Sequence, residues 1–530
     1  MSAGRCLATL TPLPANTTAR PDAVMFESRG AVLVIGDDAS IADTVNAVAQ
    51  HHRTAAFAPG LEAVRFGARV TAVGIRVSAL RGHLGAFRAE VRDPDGLKDV
   101  GVASPNRDGL FDLVLDLGRQ PLVPGDVAPL GYFAPGADAG AREAALQAMH
   151  GLVGRFTKPR YFSYLPEWCT HGSNGLQGCT RCLEVCGASA IRSAGAQIAV
   201  DPYLCQGCAT CTLACPTGAL GMTTPTASGM HQRLTQVLRQ ADDLPWPLIV
   251  HGEAQQAAVQ AVLQSVPALL SLCVDPLPAF GPVQWLQALA LGAPAVALVE
   301  DATLTSAARA LLVEQVHQTG LMLGAQGARR LALVPAEALT AWALACTESD
   351  LLDADLPAPA PTALPQGKRQ AVLAALGQCL ATHPAGTAPI SLPASASFGA
   401  VLVNKSKCTL CMACTNLCPT GALQSADGGV PRLSFTEDAC VQCGLCDRGC
   451  PEKAISLLPR YLPQTGERGA TRVLNEDELA PCTNCGTPFI SRRLLAASLA
   501  HIEGHPVLAK GGRERLMTCP SCRQQAMIQT

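Results

Sequence analysis

The sequence predicts a multidomain protein of mixed α/β and α+β class. Three observations lead there. The chain has 530 residues, enough for roughly three to four domains. Short apolar runs alternate with helix-period stretches near the N-terminus and again between 247 and 334. Most of the 24 cysteines fall in tight groups, two or three residues apart. The expected order is an α/β domain over 1–150, a cysteine-run module over 151–225 and a second α/β domain over 226–346. An Ala/Pro-rich linker over 347–397, a second cysteine-run module over 398–463 and a small CxxC…CxxC segment over 464–530 follow.

In the first domain, 31–36 (AVLVIG) is a short apolar run closed by a Gly-Asp-Asp turn and reads as a buried strand. A helix is expected over 41–50, with Ser40 as its N-cap, and a further strand over 111–117. The GxGxxG fingerprint is absent, and only Gly36 stands in the first turn. A structural α/β domain is therefore expected rather than a dinucleotide site. The middle segment predicts strands at 247–251, 268–274, 295–299 and 331–334, with helices at 254–265, 283–291 and 306–319. Such alternation implies a parallel sheet covered by helices on both faces. The apolar stretch 283–299 is broken by Gly292 and Pro294 and is too short to span a bilayer; it reads as a buried helix followed by a buried strand. The linker is polyproline-like around 356–366 and holds one short helix over 369–378.

Three cysteine runs share one grammar, C-x2-C-x2-C-x3-C-P: Cys205, Cys208, Cys211 and Cys215; Cys408, Cys411, Cys414 and Cys418; Cys440, Cys443, Cys446 and Cys450. This spacing ligates cubane [4Fe–4S] clusters. Cysteines at i, i+3 and i+6 wrap one loop around three iron corners, and the fourth cysteine crosses to the neighbouring cube. In the second module one cube is expected on Cys408, Cys411, Cys414 and Cys450, the other on Cys440, Cys443, Cys446 and Cys418. The first module has one irregular run, Cys179, Cys182 and Cys186, with Leu176 where a cysteine is expected and Gly187 in place of proline. One cube takes Cys205, Cys208, Cys211 and Cys186. Its neighbour takes Cys179, Cys182, Cys215 and, as substitute ligand on a longer loop, Cys169. The alternatives are a three-iron cluster with Cys169 as a spare thiol, or His171 as ligand, although His171 fits a surface or supporting role better. The expectation is four cubanes.

Cys482, Cys485, Cys519 and Cys522 form two C-x2-C pairs separated by 33 residues. Two such knuckles suit a tetrahedral structural zinc, with Gly486 in the first knuckle turn; a further iron–sulfur cluster and bare thiols are the alternatives. Cys6, Cys273, Cys346 and Cys379 are isolated and read as ordinary thiols.

Bulk properties narrow the function classes. Net charge is −2 and aromatic content 4%, which favours neither nucleic acid nor an anionic membrane as partner. Paired cysteines on a long chain without a recognisable apolar leader favour metal over disulfides and a cytoplasmic, reducing location. There is no nucleophile triad, phosphate loop or flavin fingerprint.

Both cluster regions resemble bacterial two-cluster ferredoxin modules, a likeness carried by the runs and by Cys-Pro-Thr-Gly-Ala at Cys215 and again at Cys418. The middle segment is similar to the small iron–sulfur delta subunit that links a hydrogenase or formate dehydrogenase to heterodisulfide reductase. Cys273-Val274-Asp275-Pro276, the 283–291 helix, Gly292-Ala293 and the 295–299 strand carry that likeness. Val299-Glu300 stands where the delta subunit has a further cysteine, which implies that the fold is kept and its two-iron cluster lost. The whole layout resembles multi-cubane 4Fe-4S binding proteins of proteobacteria, some associated with formate dehydrogenase. The resemblance implies an electron-transfer protein or redox-complex subunit rather than a catalyst by itself, its four cubes forming a wire in two segments spaced by the linker. A maturation factor for a metalloenzyme is the alternative. A nucleic-acid regulator using the tail's Arg492, Arg493, Lys510, Arg513, Arg515 and Arg523 is a more distant one.

Overall fold

A computed structural model describes residues 22–239, 245–266, 268–347, 365, 367–382, 384–425, 430–502 and 512–528. Cys6, Lys510 and the proline-rich stretch up to 364 lie outside the described residues.

The first domain is built on a parallel five-stranded sheet. Its order is Val70–Val73, Arg53–Phe57, Ala31–Ile35, Leu113–Asp116, Tyr132–Phe133. Ala31–Ile35 is buried throughout because both of its faces are covered. Val32 and Val34 pack with Val45 and Val48 of the helix Ala42–His51. Leu33 and Ile35 pack with Val77, Leu80, Phe87 and Val91, carried largely by an antiparallel sheet of Val77–Arg81, Arg88–Asp93 and Gly96–Asp99. The second cover is thus a sheet and not a helix, and the period-2 pattern around 77–93 is its sequence trace. Ser40 is not the helix cap. A 3-10 turn, Ala39–Ile41, precedes the helix, and the Asp38 carboxylate caps that turn by accepting from the Ser40 N–H at 2.9 Å.

The middle domain has the predicted parallel sheet, ordered Leu270–Cys273, Leu248–His251, Val296–Val299, Leu331–Val334. Leu248, Val250, Leu272 and Leu298 face one core, with Trp285, Leu289 and Leu312. Ile249, Ala297 and Val299 face the other, with Val259 and Val262. Pro282–Ala290 is buried on every side, as its mostly apolar sequence favours; its two glutamines are bonded, Gln284 to the Gly281 N–H at 3.1 Å and Gln287 to His231 at 3.3 Å. The helix expected over 369–378 runs from Lys368 to Thr382. It is no spacer: Val372, Leu376 and Cys379 are buried in the middle domain's core, because their i, i+4, i+7 spacing forms one apolar stripe. Cys346 is likewise a core thiol, while Cys273 ends a strand, half-buried.

Each cysteine-run module is a pair of short helices held between small antiparallel sheets. In the first, Phe162–Tyr164 pairs with Leu220–Met222, and Ile191–Ala194 with Gln197–Val200. In the second, Gly399–Val403 pairs with Ile455–Tyr461, and Arg432–Thr436 lies between Leu423–Ser425 and Thr471–Glu476. Glu437 ties these two sheets together. Its carboxylate is 2% exposed, accepts from Arg460 Nε at 2.9 Å and Nη2 at 2.8 Å, and from Arg472 Nη2 at 2.6 Å. Burial alone would raise the Glu437 carboxyl, but the two guanidinium groups outweigh it and hold it below its ordinary value. A folded-state value below the unfolded one adds stability above the unfolded pKa, and that stability is lost as pH falls through the folded value. Glu437→Gln leaves two guanidinium groups short of their counter-charge and is expected to cost about 3 kcal/mol, read by chemical denaturation of the second module; an unchanged midpoint would refute the role.

Among the described residues no helix is long and apolar enough to cross a membrane.

Candidate metal centres

The complete runs fold alike because their loops demand it. In each, the third and fifth residues are left-handed: Gly207 and Ala209, Leu410 and Met412, Gln442 and Gly444, with φ of 75°, 61°, 56°, 59°, 54° and 83°. Alternating left-handed residues turn successive N–H groups inward and make a concave nest. Further donors aim at sulfur. The Ala190 and Ala454 N–H groups reach Cys186 Sγ and Cys450 Sγ at 3.3 Å, and Gln442 Nε2 donates to Cys440 Sγ at 3.3 Å. Thr217 and Thr420, from the Cys-Pro-Thr-Gly-Ala repeats, place their hydroxyls 3.6 Å from Cys215 Sγ and Cys418 Sγ.

The thiols gather in four groups. Burial pushes Cys211 well up, and Cys208, Cys205 and Cys186 beside it push further. Cys182 is raised to about 12 by burial, then by Cys179, Cys215 and Cys169. Cys414 is raised to about 12 by burial, with Cys408, Cys411 and Cys450 as its charged neighbours. Cys446 is raised by burial and by Cys440, Cys443 and Cys418. Two of the groups line pockets: Cys418, Cys440, Cys443 and Cys446 line one, and Cys408, Cys411, Cys414 and Cys450 line another. Clustered thiols around a pocket ringed with N–H donors fit a polynuclear cation that displaces their protons.

The irregular run is the exception in shape. Its missing cysteine position, Leu176, belongs to a hairpin of Gly172–Ser173 with Leu176–Gln177, turned by Asn174 and Gly175 at φ of 48° and 78°. An Asn-Gly turn with both φ positive is the strongest short hairpin signal, and it lay unread in the sequence. Cys169 stands just before this hairpin and packs with Cys182 and Cys215 in one apolar cluster. His171 is buried rather than on the surface. Both of its ring nitrogens are used, one at 2.8 Å from the Cys179 carbonyl and one at 2.8 Å from the Ser193 hydroxyl, so it buttresses the loop and has no nitrogen left for a metal.

Two cations also escaped the sequence reading. Lys368 Nζ donates to the Thr212, Leu213 and Cys215 carbonyls, each at 2.8 Å; burial pulls its pKa down to about 8. Its neighbour Arg369 turns the other way, donating to the Asp438 and Ser397 carbonyls at 2.9 and 2.8 Å, with its guanidinium 4.0 Å from the centre of the Phe398 ring.

At the C-terminus the sulfurs of Cys482, Cys485, Cys519 and Cys522 all lie within 4.8 Å of one another, and Cys485 and Cys519 are 3.7 Å apart. A tetrahedron with Zn–S of about 2.3 Å has edges near 3.8 Å, so this group is the right size for one ion; a cubane would hold its thiolates further apart. Gly486, at φ 73°, makes the knuckle turn. Burial would raise Cys482, but the N–H groups of Cys519, Cys485 and Asn484 outweigh it and draw that thiol down to about 6. Of the basic tail, Arg492 pairs with Glu478 at 3.2 Å, Arg493 with Asp477 at 3.9 Å, and Arg523 donates to the Thr518 carbonyl at 2.8 Å.

Comparison with known proteins agrees with the cysteine grammar. Residues 396–455 match the family of 4Fe-4S dicluster domains, and residues 197–220 match a family of 4Fe-4S binding domains. The chain is 41% identical over 54 residues to the ferredoxin-type protein NapF of Escherichia coli (strain K12), covering 10% of this chain and 32% of NapF. It is 40% identical over 67 residues to the pyruvate synthase subunit PorD of Thermotoga maritima, covering 12% of this chain and 66% of PorD. The chain thus spans about a third of NapF and just under two thirds of PorD. It carries ferredoxin-type [4Fe–4S] domains, the modules of iron–sulfur electron transfer, within a mixed α/β protein.

Proposed function

We propose that this chain is an electron-transfer protein or redox-complex subunit holding four [4Fe–4S] clusters. The observation that carries the reading is the gathering of sixteen thiols into four groups, each joining a run to the last cysteine of its partner. The ligand sets are Cys205, Cys208, Cys211 and Cys186; Cys179, Cys182, Cys215 and Cys169; Cys440, Cys443, Cys446 and Cys418; Cys408, Cys411, Cys414 and Cys450. When bound, the clusters supply one-electron chemistry. The chain's own residues exclude water, aim N–H and hydroxyl donors at the sulfurs, and set the charge nearby. Cys482, Cys485, Cys519 and Cys522 hold a structural zinc. The partners are redox proteins, with formate dehydrogenase or a related oxidoreductase suggested by the resemblance of the layout, and the compartment is a reducing cytoplasm. The middle domain keeps a delta-subunit-like fold without that subunit's cluster.

Iron and acid-labile sulfide analysis of anaerobically purified, reconstituted protein tests this. About sixteen irons per chain are expected from four cubanes, with reversible reduction by a low-potential donor. Eight or fewer irons would overturn the four-cluster count, and clusters that pass readily to an apo-protein in place of cycling would overturn electron transfer in favour of a maturation role.

Lys368 offers a finer check. Its buried ammonium stabilises the more negative, reduced state of a cluster at Cys215. Lys368→Met is expected to lower that potential by roughly 40–90 mV, the equivalent of about 1–2 kcal/mol of lost Coulomb attraction for one electron. Potentiometric titration reads the shift; an unchanged potential with full iron would remove Lys368 from the tuning set.

A further inference from the structure

The two cysteine-run modules, 170 or more residues apart in sequence, lie against each other. The contact is made by the hairpin that replaces the missing cysteine. Arg448, from the helix Leu445–Arg448 that carries Cys446, donates through Nη1 to the Gln177 carbonyl and, at 3.0 Å, to the Gly178 carbonyl. Gly178 immediately precedes Cys179. A Cβ added there would stand 2.6 Å from the Thr170 carbonyl oxygen of its own loop and 2.8 Å from Leu445 Cγ across the seam. One added at Gly449 would overlap Leu417 Cδ1 of its own module and stand 2.9 Å from Leu176 Cδ1 across the seam. Each glycine thus leaves room for a leucine side chain of the opposite module. The seam is fastened at two other places. Arg181, next to Cys182, donates to the Ala396 carbonyl at 3.0 Å. The first turn of the helix Lys368–Thr382 sends Lys368 to the Cys215 carbonyl and Arg369 to the Asp438 carbonyl.

We propose that the 170–178 hairpin is a docking device that sets Cys179 against Cys443, so that the two cluster pairs form one continuous four-centre path and not two segments. This deepens the four-cluster reading and rests on it. The sulfur neighbours run in the same order from end to end: Cys211 lies by Cys182, Cys443 by Cys179, and Cys446 by Cys414. One electron leaves a reduced centre held by Cys179 and enters an oxidised centre held by Cys443. The first becomes oxidised by one unit and the second reduced by one; no bond or proton is exchanged. Arg448 acts here as a positioning residue. The irregularity of the first run then has a physical reason, since a regular run would place a cysteine at 176 and leave no hairpin to dock.

The test uses the full chain, reconstituted, as the unchanged protein and as Leu176→Asp, Arg448→Ala and Arg448→Lys. Iron content is measured first, then spin–spin coupling between reduced centres by EPR, then re-equilibration of electrons after flash reduction. Leu176→Asp and Arg448→Ala are expected to keep their iron, lose the coupling between modules and slow re-equilibration by at least about tenfold, the scale on which small misplacements of reacting centres cost rate. Arg448→Lys keeps a donor at the seam and is expected to restore most of both. Full iron with unchanged coupling and rate in both disruptive variants overturns the docking proposal alone. Eight irons or fewer in the unchanged protein overturns the four-cluster reading and the path with it.

Discussion

Removing the metal from Cys482, Cys485, Cys519 and Cys522 is expected to unfold the segment from Leu479 to Ile528 while the rest of the chain stays folded. Among its described residues the segment has almost no core of its own. Its buried apolar group is Cys482, Cys519 and Cys522 with Phe489 packed against them, and the helix Arg492–His501 has no buried residue. Burying one aromatic side chain yields about 2–3 kcal/mol, far less than the ordering entropy of some fifty residues. A structural zinc supplies about 10–16 kcal/mol in such sites, so with zinc bound as proposed the metal takes the place of a core. The polar tethers to the second module, Ser491 Oγ to the Thr409 carbonyl at 3.2 Å and Arg493 to the Lys405 carbonyl, hold the segment in place but do not fold it. Amide hydrogen exchange before and after treatment with a strong chelator reads the result. Protection should vanish between 479 and 528 and return with zinc; protection that survives metal removal would show that the fold is independent of the ion. Metal analysis alongside distinguishes zinc from iron.

What could be read from the sequence follows how local each feature is. The strand at Leu331–Val334 and the helix at Pro282–Ala290 lie within a residue or two of where the pattern places them, because short apolar runs between turn residues admit few other readings. The crossing of Cys215, Cys186, Cys418 and Cys450 to partner runs is an expectation of the same local kind, since the spacing itself calls for a distant fourth ligand. The hairpin at 172–177 carried a readable signal, Asn174-Gly175, hidden by the absence of flanking alternation in so short a pair. Lys368 and Arg369 were not legible. Two cations at a helix start look like a solvated end, and only the tertiary arrangement turns them into buried clamps with opposite directions. The module seam was invisible for the same reason: Arg448 and Gly178 belong to stretches hundreds of residues apart. The expected linker misled, because its proline-rich half suggested a spacer while the stripe of Val372, Leu376 and Cys379 belonged to a core.

Cys169→Ala is expected to remove one centre's fourth ligand and change that centre alone. The physical case for Cys169 is its position. It follows a turn, Pro166–Trp168, neighbours Cys182, and packs with Cys182 and Cys215 in one apolar cluster. The Tyr164 hydroxyl accepts from the Ile198 N–H at 3.3 Å, and its ring packs in the same apolar cluster as Cys169. With alanine at 169, Cys179, Cys182 and Cys215 remain and can hold three irons, so the reconstituted variant should contain about one iron fewer than the parent and show a paramagnetic signal in its oxidised form, where the parent is silent. Cys182→Ala removes a ligand from the middle of the same group and should lose about four irons, the whole centre. Alanine is used because a serine oxygen can itself bind iron. If Cys169→Ala leaves iron content and both oxidised and reduced spectra unchanged, Cys169 is a spare thiol, and the centre beside it is held by three cysteines in the native protein as well.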